Sequence, residues 1–172
     1  MNSSKLETPG TWRAAAVSDL DDIQGIADQI HPDLQERPEI FAERLKLFPE
    51  GCFALVQNEQ VVGYGLSHPW VLNSIPPLNQ LLGSLPQSPE CLLIHDVAAL
   101  PQARGHGAAR ILIELTAKLA RMRGFSCLAL VSVYNTWPLW TGLGFEVVAD
   151  GALTDKLKSY GTTARYMIRR PG

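Results

Sequence analysis

No apolar run in this chain comes near the roughly 20 residues that a membrane-crossing helix needs, so no membrane partner is expected. Cysteine is scarce and odd in number. Cys52, Cys91 and Cys127 lie far apart, each beside an apolar run. That pattern excludes a disulfide frame and the paired spacing of a zinc site, and it fits buried thiols in a reducing, cytoplasmic setting with no metal. Net charge is small, at −2 over 172 residues, of which 19% are charged. Basic residues are too few, and too poorly interleaved with aromatics, to serve a nucleic acid. No repeat or linker divides the chain, and its 46% hydrophobic content suffices for one core. Met1 to Gly10 is polar, without the apolar centre of a signal peptide. It reads as a flexible tail ahead of a single domain over residues 11–172.

What is present is unevenly spread. Val17 to Glu50 holds nine acids against three bases, whereas Gln102 to Phe125 holds five bases against Glu114 alone. Besides solvated helix faces, this asymmetry allows a basic half that meets a polyanionic cofactor and an acidic half that meets a cationic acceptor.

The apolar pattern predicts alternating elements. Trp12 to Val17 reads as a strand, and Ser18 caps a helix whose Leu20, Ile23, Ile26 and Ile30 recur at helical spacing until Pro32. Pro38 opens a second helix that ends at Pro49 and Gly51. Cys52 to Gln57 and Val61 to His68 form a hairpin. Pro69 to Glu90 carries five of the twelve prolines together with Trp70, Leu72, Ile75 and Leu78. It is too apolar for a disordered tether and predicts a structured lid with a helical turn around Leu78 to Leu82. Cys91 to Ala99 is a buried strand. The next helix places Ala108, Ile111, Leu112, Leu115, Leu119 and Met122 on one stripe, with Gly124 after its end. Ser126 to Val133 is a strand, Thr136 to Leu143 a short helix, and Phe145 to Ala149 and Ala164 to Arg169 the last strands. The fold class is α/β with one mixed sheet.

Between strand and helix lies Pro101-Gln102-Ala103-Arg104-Gly105-His106-Gly107-Ala108-Ala109. A glycine turn that opens a helix aims successive N–H groups at an anion. Arg110 stands where a dinucleotide fingerprint needs its third glycine, and no lysine–hydroxyl pair follows Gly107 as a nucleotide P-loop requires. What remains, R-x-x-G-x-A, resembles the pyrophosphate loop of the GCN5-related N-acetyltransferases (GNAT). Trp137-Pro138-Leu139-Trp140-Thr141-Gly142-Leu143-Gly144-Phe145 resembles that family's second landmark, about forty residues on.

The resemblance implies a single-domain GNAT-like fold: a central mixed sheet splayed between its fourth and fifth strands, flanked by about four helices. It implies acetyl-CoA as cosubstrate, gripped by Arg104, Gly105, His106, Gly107, Ala108 and Ala109, with its pantetheine arm along Val97, Ala98 and Ala99. Asn135 and Trp140 fall in the region that touches the same arm. Leu93-Ile94-His95-Asp96-Val97-Ala98 is similar to the matching strand of arylalkylamine N-acetyltransferases, which implies that His95 removes the amine proton. A primary amine of pKa about 10 is cationic at neutral pH and needs such a base, and histidine, near 6.5, can relay the proton. His68 is a second candidate. By strand alternation Asp96 faces away from His95.

One departure stands out. The family's usual tyrosine acid is Trp140 here, and an indole N–H cannot protonate a thiolate. Tyr134 is the substitute candidate, with Tyr160 and Tyr166 more remote. Because a thiol of pKa about 8.5 leaves without much help, the acid is also dispensable in principle. The readings that stay open are a transferase acting on a primary, small-molecule amine, a non-catalytic acyl-CoA-binding module, and an unrelated anion-binding protein. The chain would act as a monomer or homodimer.

Overall fold

In chain order the elements are β1 (Thr11–Ala14), α1 (Leu20–Ile30), α2 (Pro38–Leu47), β2 (Cys52–Gln57), β3 (Gln60–Trp70), β4 (Cys91–Ala99), α3 (Ala108–Met122), β5 (Cys127–Ser132), α4 (Trp137–Gly142), β6 (Glu146–Val147), α5 (Thr154–Leu157) and β7 (Arg165–Arg169). The computed structural model describes residues 8–170, so residues 1–7 of the expected tail lie outside the described residues. Among the described residues, seven strands form one sheet in the order β1-β2-β3-β4-β5-β7-β6. β4 and β5 pair in parallel and the other neighbours antiparallel, which makes the sheet mixed as expected. No described helix is long and apolar enough to cross a membrane.

Local chemistry accounts for the turns. β2 and β3 join through Asn58 and Glu59, both with left-handed backbone (φ 51° and 65°), as a two-residue hairpin turn requires. The start of α1 differs from expectation. Ser18 makes no cap; the Asp19 carboxylate accepts the Ala16 N–H at 2.7 Å and pairs with Arg13, and α1 begins one residue later. Asp19 can do both because a carboxylate has two acceptor oxygens.

Alternation along the strands gives the sheet two buried faces. Leu92, Ile94, Leu128, Leu130 and Met167 pack with α3, α4 and Phe145. Cys91, Leu93, Cys127, Ala129 and Tyr166 pack with Ile75 and Leu153. Further along, α1 and α2 cover Tyr64, Leu66 and Ala98. All three cysteines are buried.

The α3 stripe is rotated from its predicted position. Leu112, Ile113, Thr116, Ala117 and Ala120 face the sheet, whereas Ile111 and Met122 are exposed. Small residues explain the rotation. Ala117 and Ala120 let the helix approach, and Leu112 sits where a side chain on Gly65 would lie, 2.5 Å from a Cβ built there. The hydrophobicity of single residues loses here to the closeness of backbone packing.

The segment after β3 also departs from the sequence reading. β3 runs on through Pro69 and Trp70, and residues 71–90 contain turns but no helical turn. Pro76 and Pro77 precede the segment's apex, and Asn79 has φ 57°, incompatible with a right-handed helix. Its amides are spent on α2 instead: Leu82 and Gly83 donate to Glu43. Trp70 and Leu72 pack against the core beside Ile75, and of these four lid apolars Leu78 alone reaches the site described next.

Candidate active site

The sheet opens where two strands part. β4 and β5 pair from Cys91↔Cys127 to Ile94↔Leu130 and no further, although β4 continues to Ala99. Residues His95 to Ala99 therefore keep β3 on one side and lack a strand on the other. At the same point the β3–β4 register slips, with Leu66 opposite Asp96 and Ser67 opposite Ile94, so His95 is the extra residue of a bulge. The bulge overturns the expected alternation. His95 and Asp96 both reach the connection between α1 and α2: His95 Nε2 lies 2.8 Å from Glu36 Oε1 and His31 Nε2 lies 2.9 Å from Asp96 Oδ1.

The opening is a cavity of about 780 Å³, within the usual range for a small-molecule site. One end is the glycine turn. Gly105 and Gly107 have φ 85° and 73°, left-handed values that glycine adopts without strain. Among the described residues the amides of Gly105, His106, Gly107, Ala108 and Ala109 have no hydrogen-bond partner, so the positive end of α3 points into the cavity with donors to spare. Arg104 differs: its amide donates to Pro101 O and its Nε to Ala99 O at 3.0 Å. It fastens the turn to β4, and the free cradle begins at Gly105.

The sequence-predicted residues divide clearly. His95, Val97, Ala98, Ala99, Arg104, Gly105, Gly107, Ala108, Ala109, Tyr134 and Trp140 all line this one cavity. His106 is exposed and does not line it. Asn135 does not line it either. Its Oδ1 accepts from Trp137 Nε1 at 3.1 Å, because the positive φ of Tyr134 and Asn135 turns the chain there toward α4.

At Trp140, indole Nε1 donates to Thr136 Oγ1 at 3.2 Å and the ring meets Phe145 edge-on. Behind it, Gly144 N donates to Thr141 O and Phe145 N to Trp140 O, the paired bonds of a glycine-terminated helix. Tyr134 is better suited to give a proton. Its hydroxyl accepts the Asp33 N–H at 3.2 Å, which leaves its own hydrogen free. Burial, with the charges of Asp33 and Asp96, raises its pKa and keeps the phenol protonated at neutral pH.

The remaining candidates fall away. His68 is fully buried, outside the cavity lining, and its pKa is pushed down to about 3 by burial and by the charges of His95 and Arg44. Tyr160 lines the cavity, but its hydroxyl donates to Pro76 O at 2.6 Å. Tyr166 points its hydroxyl at Asn73 N on the other face.

Sequence reasoning missed His31, Glu36 and the ion-pairing role of Asp96. The one available signal was the acidic cluster between α1 and α2, whose members read as solvated. Burial alone would raise the Asp96 and Glu36 carboxyls, yet His31 and His95 respectively outweigh it and hold both below their ordinary values. His31 is raised: burial disfavours its charge, but Asp96 more than compensates. The signs fix a pH window. Asp96 contributes stability above the unfolded carboxyl value of about 3.9, and His31 contributes fully below the unfolded imidazole value of about 6.5. The unfolding free energy lost in H31Q is expected to be full near pH 5 and to shrink as pH rises through the raised His31 value. Denaturant melts of both proteins at pH 5 and pH 9 check it.

Residues 17–145 match the family model described as the acetyltransferase (GNAT) family. Similar solved structures include Ard1 from Thermoplasma volcanium, at 16% identity and TM-score 0.70, covering 95% of this chain and 98% of that one. N-acetylglutamate synthase from Neisseria gonorrhoeae, complexed with coenzyme A and N-acetyl-glutamate, has 17% identity and TM-score 0.71, covering 96% of this chain and 36% of that one. A GNAT-like decarboxylase, GphF, in complex with isobutyryl-CoA, has 18% identity and TM-score 0.75, covering 94% of this chain and 100% of that one. At these identities the likeness establishes the fold. Comparison with curated proteins finds no significant match.

Proposed function

This chain belongs to the acetyltransferase (GNAT) family, and from that premise we propose that it transfers the acetyl group of acetyl-CoA directly to a small primary amine. The observation that carries the reading is the single cavity that joins free amides 105–109, the unpaired edge of β4 and the His95 ring. The cradle suits a diphosphate, with several N–H donors at a helix N-terminus and no acidic side chain on the turn. The open β4 edge suits an extended pantetheine arm, and its spare amides would polarise a thioester carbonyl. Structures similar in fold were solved with coenzyme A and with isobutyryl-CoA, which supports the same choice of cosubstrate.

The chemistry then follows from the residues. His95 takes a proton from the bound ammonium, directly or through water, and the freed amine attacks the thioester carbon. The N–C bond forms and the C–S bond breaks; Tyr134 gives its free hydroxyl proton to the departing thiolate, and the second proton of the acylated nitrogen returns through water to the tyrosinate. The acceptor end is lined by Ile30, Leu34 and Leu78 with Glu36 and Asp96, a wall that fits a cationic amine with a short apolar body. Assay against a panel of arylalkylamines, polyamines and amino acids, with mass detection of the product, tests the proposal. Y134F is expected to lower kcat about tenfold to a hundredfold while leaving KM for acetyl-CoA unchanged.

One observation favours a second reading. The family's acid position is Trp140, whose N–H is already engaged by Thr136. A non-catalytic acyl-CoA-binding module would bind the thioester tightly and release no thiol with any amine of the panel.

A further inference from the structure

Glu36 touches two parts of the molecule that are remote in sequence. Its Oε1 lies 2.8 Å from His95 Nε2 on β4, and its Oε2 accepts the Asn79 N–H at 3.0 Å from the segment between β3 and β4. Its side chain and that of His95 are about equally buried, at 5% and 4% exposure, and both residues line the cavity. The Asn79 region is held to α2 by several further bonds. Asn79 Oδ1 accepts from Arg37 N at 2.8 Å, Arg44 Nη2 donates to Gln80 O, and Glu43 takes the amides of Leu82 and Gly83. Of these bonds, the one to Glu36 alone continues to a cavity-lining histidine.

We propose that Glu36 is a positioning residue that fixes the His95 ring as the Nε2–H tautomer, with bare Nδ1 as the basic atom, and couples that state to docking of residues 79–83. The proposal rests on the acetyltransferase reading for its catalytic meaning and on geometry for its physical content. A carboxylate oxygen is acceptor-only, so the atom of His95 that meets it carries the hydrogen. In the neutral ring the other nitrogen then has a lone pair, and Nδ1 has no hydrogen-bond partner among the described residues. The second oxygen of the same carboxylate is filled by a backbone donor, which locks the plane of the group and, through it, the ring. Leu78, next to that donor, lines the acceptor end of the cavity, so the wall around the acceptor and the state of the base are set together.

The charged groups around the pair have other engagements. From β4, Asp96 faces His31 and Tyr64. From β3, the His68 ring centroid is 6.2 Å from that of His95, and its Nδ1 meets Pro69 O. From α2, Arg44 pairs with Glu43, and beyond it Tyr160 bonds Pro76 O. Glu36 is thus the group that holds the His95 ring by hydrogen bonding.

Glutamine at position 36 is a sharp probe because it keeps size and loses one acceptor. Its single carbonyl oxygen can serve His95 or Asn79, and its NH₂ cannot accept from the other. Long-range ¹H–¹⁵N correlation of the histidine rings, assigned with H95Q, reads the tautomer in the ligand-free protein. Backbone hydrogen exchange reads the Asn79 amide. The unmodified protein is expected to show His95 protonated at Nε2, and E36Q is expected to show a mixed tautomer or an Asn79 amide that exchanges at least about tenfold faster. A ring protonated at Nδ1 in the unmodified protein would overturn the proposal, whether or not E36Q folds. So would an E36Q protein in which both signals are unchanged.

Turnover of acetyl-CoA with the amine panel supplies a separate reading. A drop in kcat of E36Q with constant KM for acetyl-CoA supports positioning of the base. Equal kcat in E36Q and the unmodified protein overturns it. Should no amine be acetylated, the acetyltransferase reading fails by itself, and the ring spectra still decide which nitrogen Glu36 holds.

Discussion

Placing glutamate at Gly107 is expected to weaken coenzyme A binding by about 100- to 1,000-fold. Gly107 is the residue before α3, with φ 73°, and its amide is one of five on the turn without a partner among the described residues. A carboxylate there meets the diphosphate at close range. At about 4 Å and an effective dielectric near 20, two like charges repel by about 4 kcal/mol, and each 1.4 kcal/mol is tenfold in affinity. Steric explanations are separable, because a Cβ built at Gly107 meets nothing within 4 Å. Gly107→Ala carries the same backbone penalty, about 1 kcal/mol for a left-handed non-glycine residue, without the charge. It should therefore retain most of the affinity that G107E loses. Calorimetric titration of both variants with coenzyme A, beside thermal melts that verify folding, makes the comparison. Equal losses in the two variants would show that the turn contributes shape alone.

Removing the base has an effect of similar size on a different parameter. H95Q is expected to lower kcat about 10²- to 10⁴-fold, the range of a lost general base, with KM for acetyl-CoA unchanged. Glutamine preserves the approximate volume and an oxygen or N–H toward Glu36, so the bulge and the splay should persist. The loss should not be made good by a second imidazole. His31 is paired with Asp96, which raises its pKa, and His68, at about 3, is neutral but enclosed outside the cavity lining. An unaltered kcat in H95Q would remove His95 from proton transfer and leave the acetyl-CoA assignment standing.

How far the sequence disclosed this site depended on whether a feature was local. The glycine turn, the helix after it and the Gly144-Phe145 terminus are specified by neighbours in the chain, and each formed where expected. The bulge at His95 was not legible. It is a mismatch of count between β3 and β4, and nothing within Leu93 to Ala98 shows that one residue will go unpaired. That single slip turns Asp96 to the His95 side of the sheet. Glu36 and His31 were hidden for the same reason. They sit in a polar connection whose charges read as solvated, and they become buried only because α1 and α2 fold over the open end of β4. The rotated face of α3 has a different cause, the absent side chain of Gly65 on a strand distant in sequence.

A structure with acetyl-CoA bound tests the central claim most directly. The diphosphate should accept hydrogen bonds from the amides of Gly105 to Ala109, and the acetyl thioester should lie along Val97 to Ala99, within reach of a water or amine at His95 Nδ1. A diphosphate bound elsewhere, with those amides left to solvent, would contradict the account.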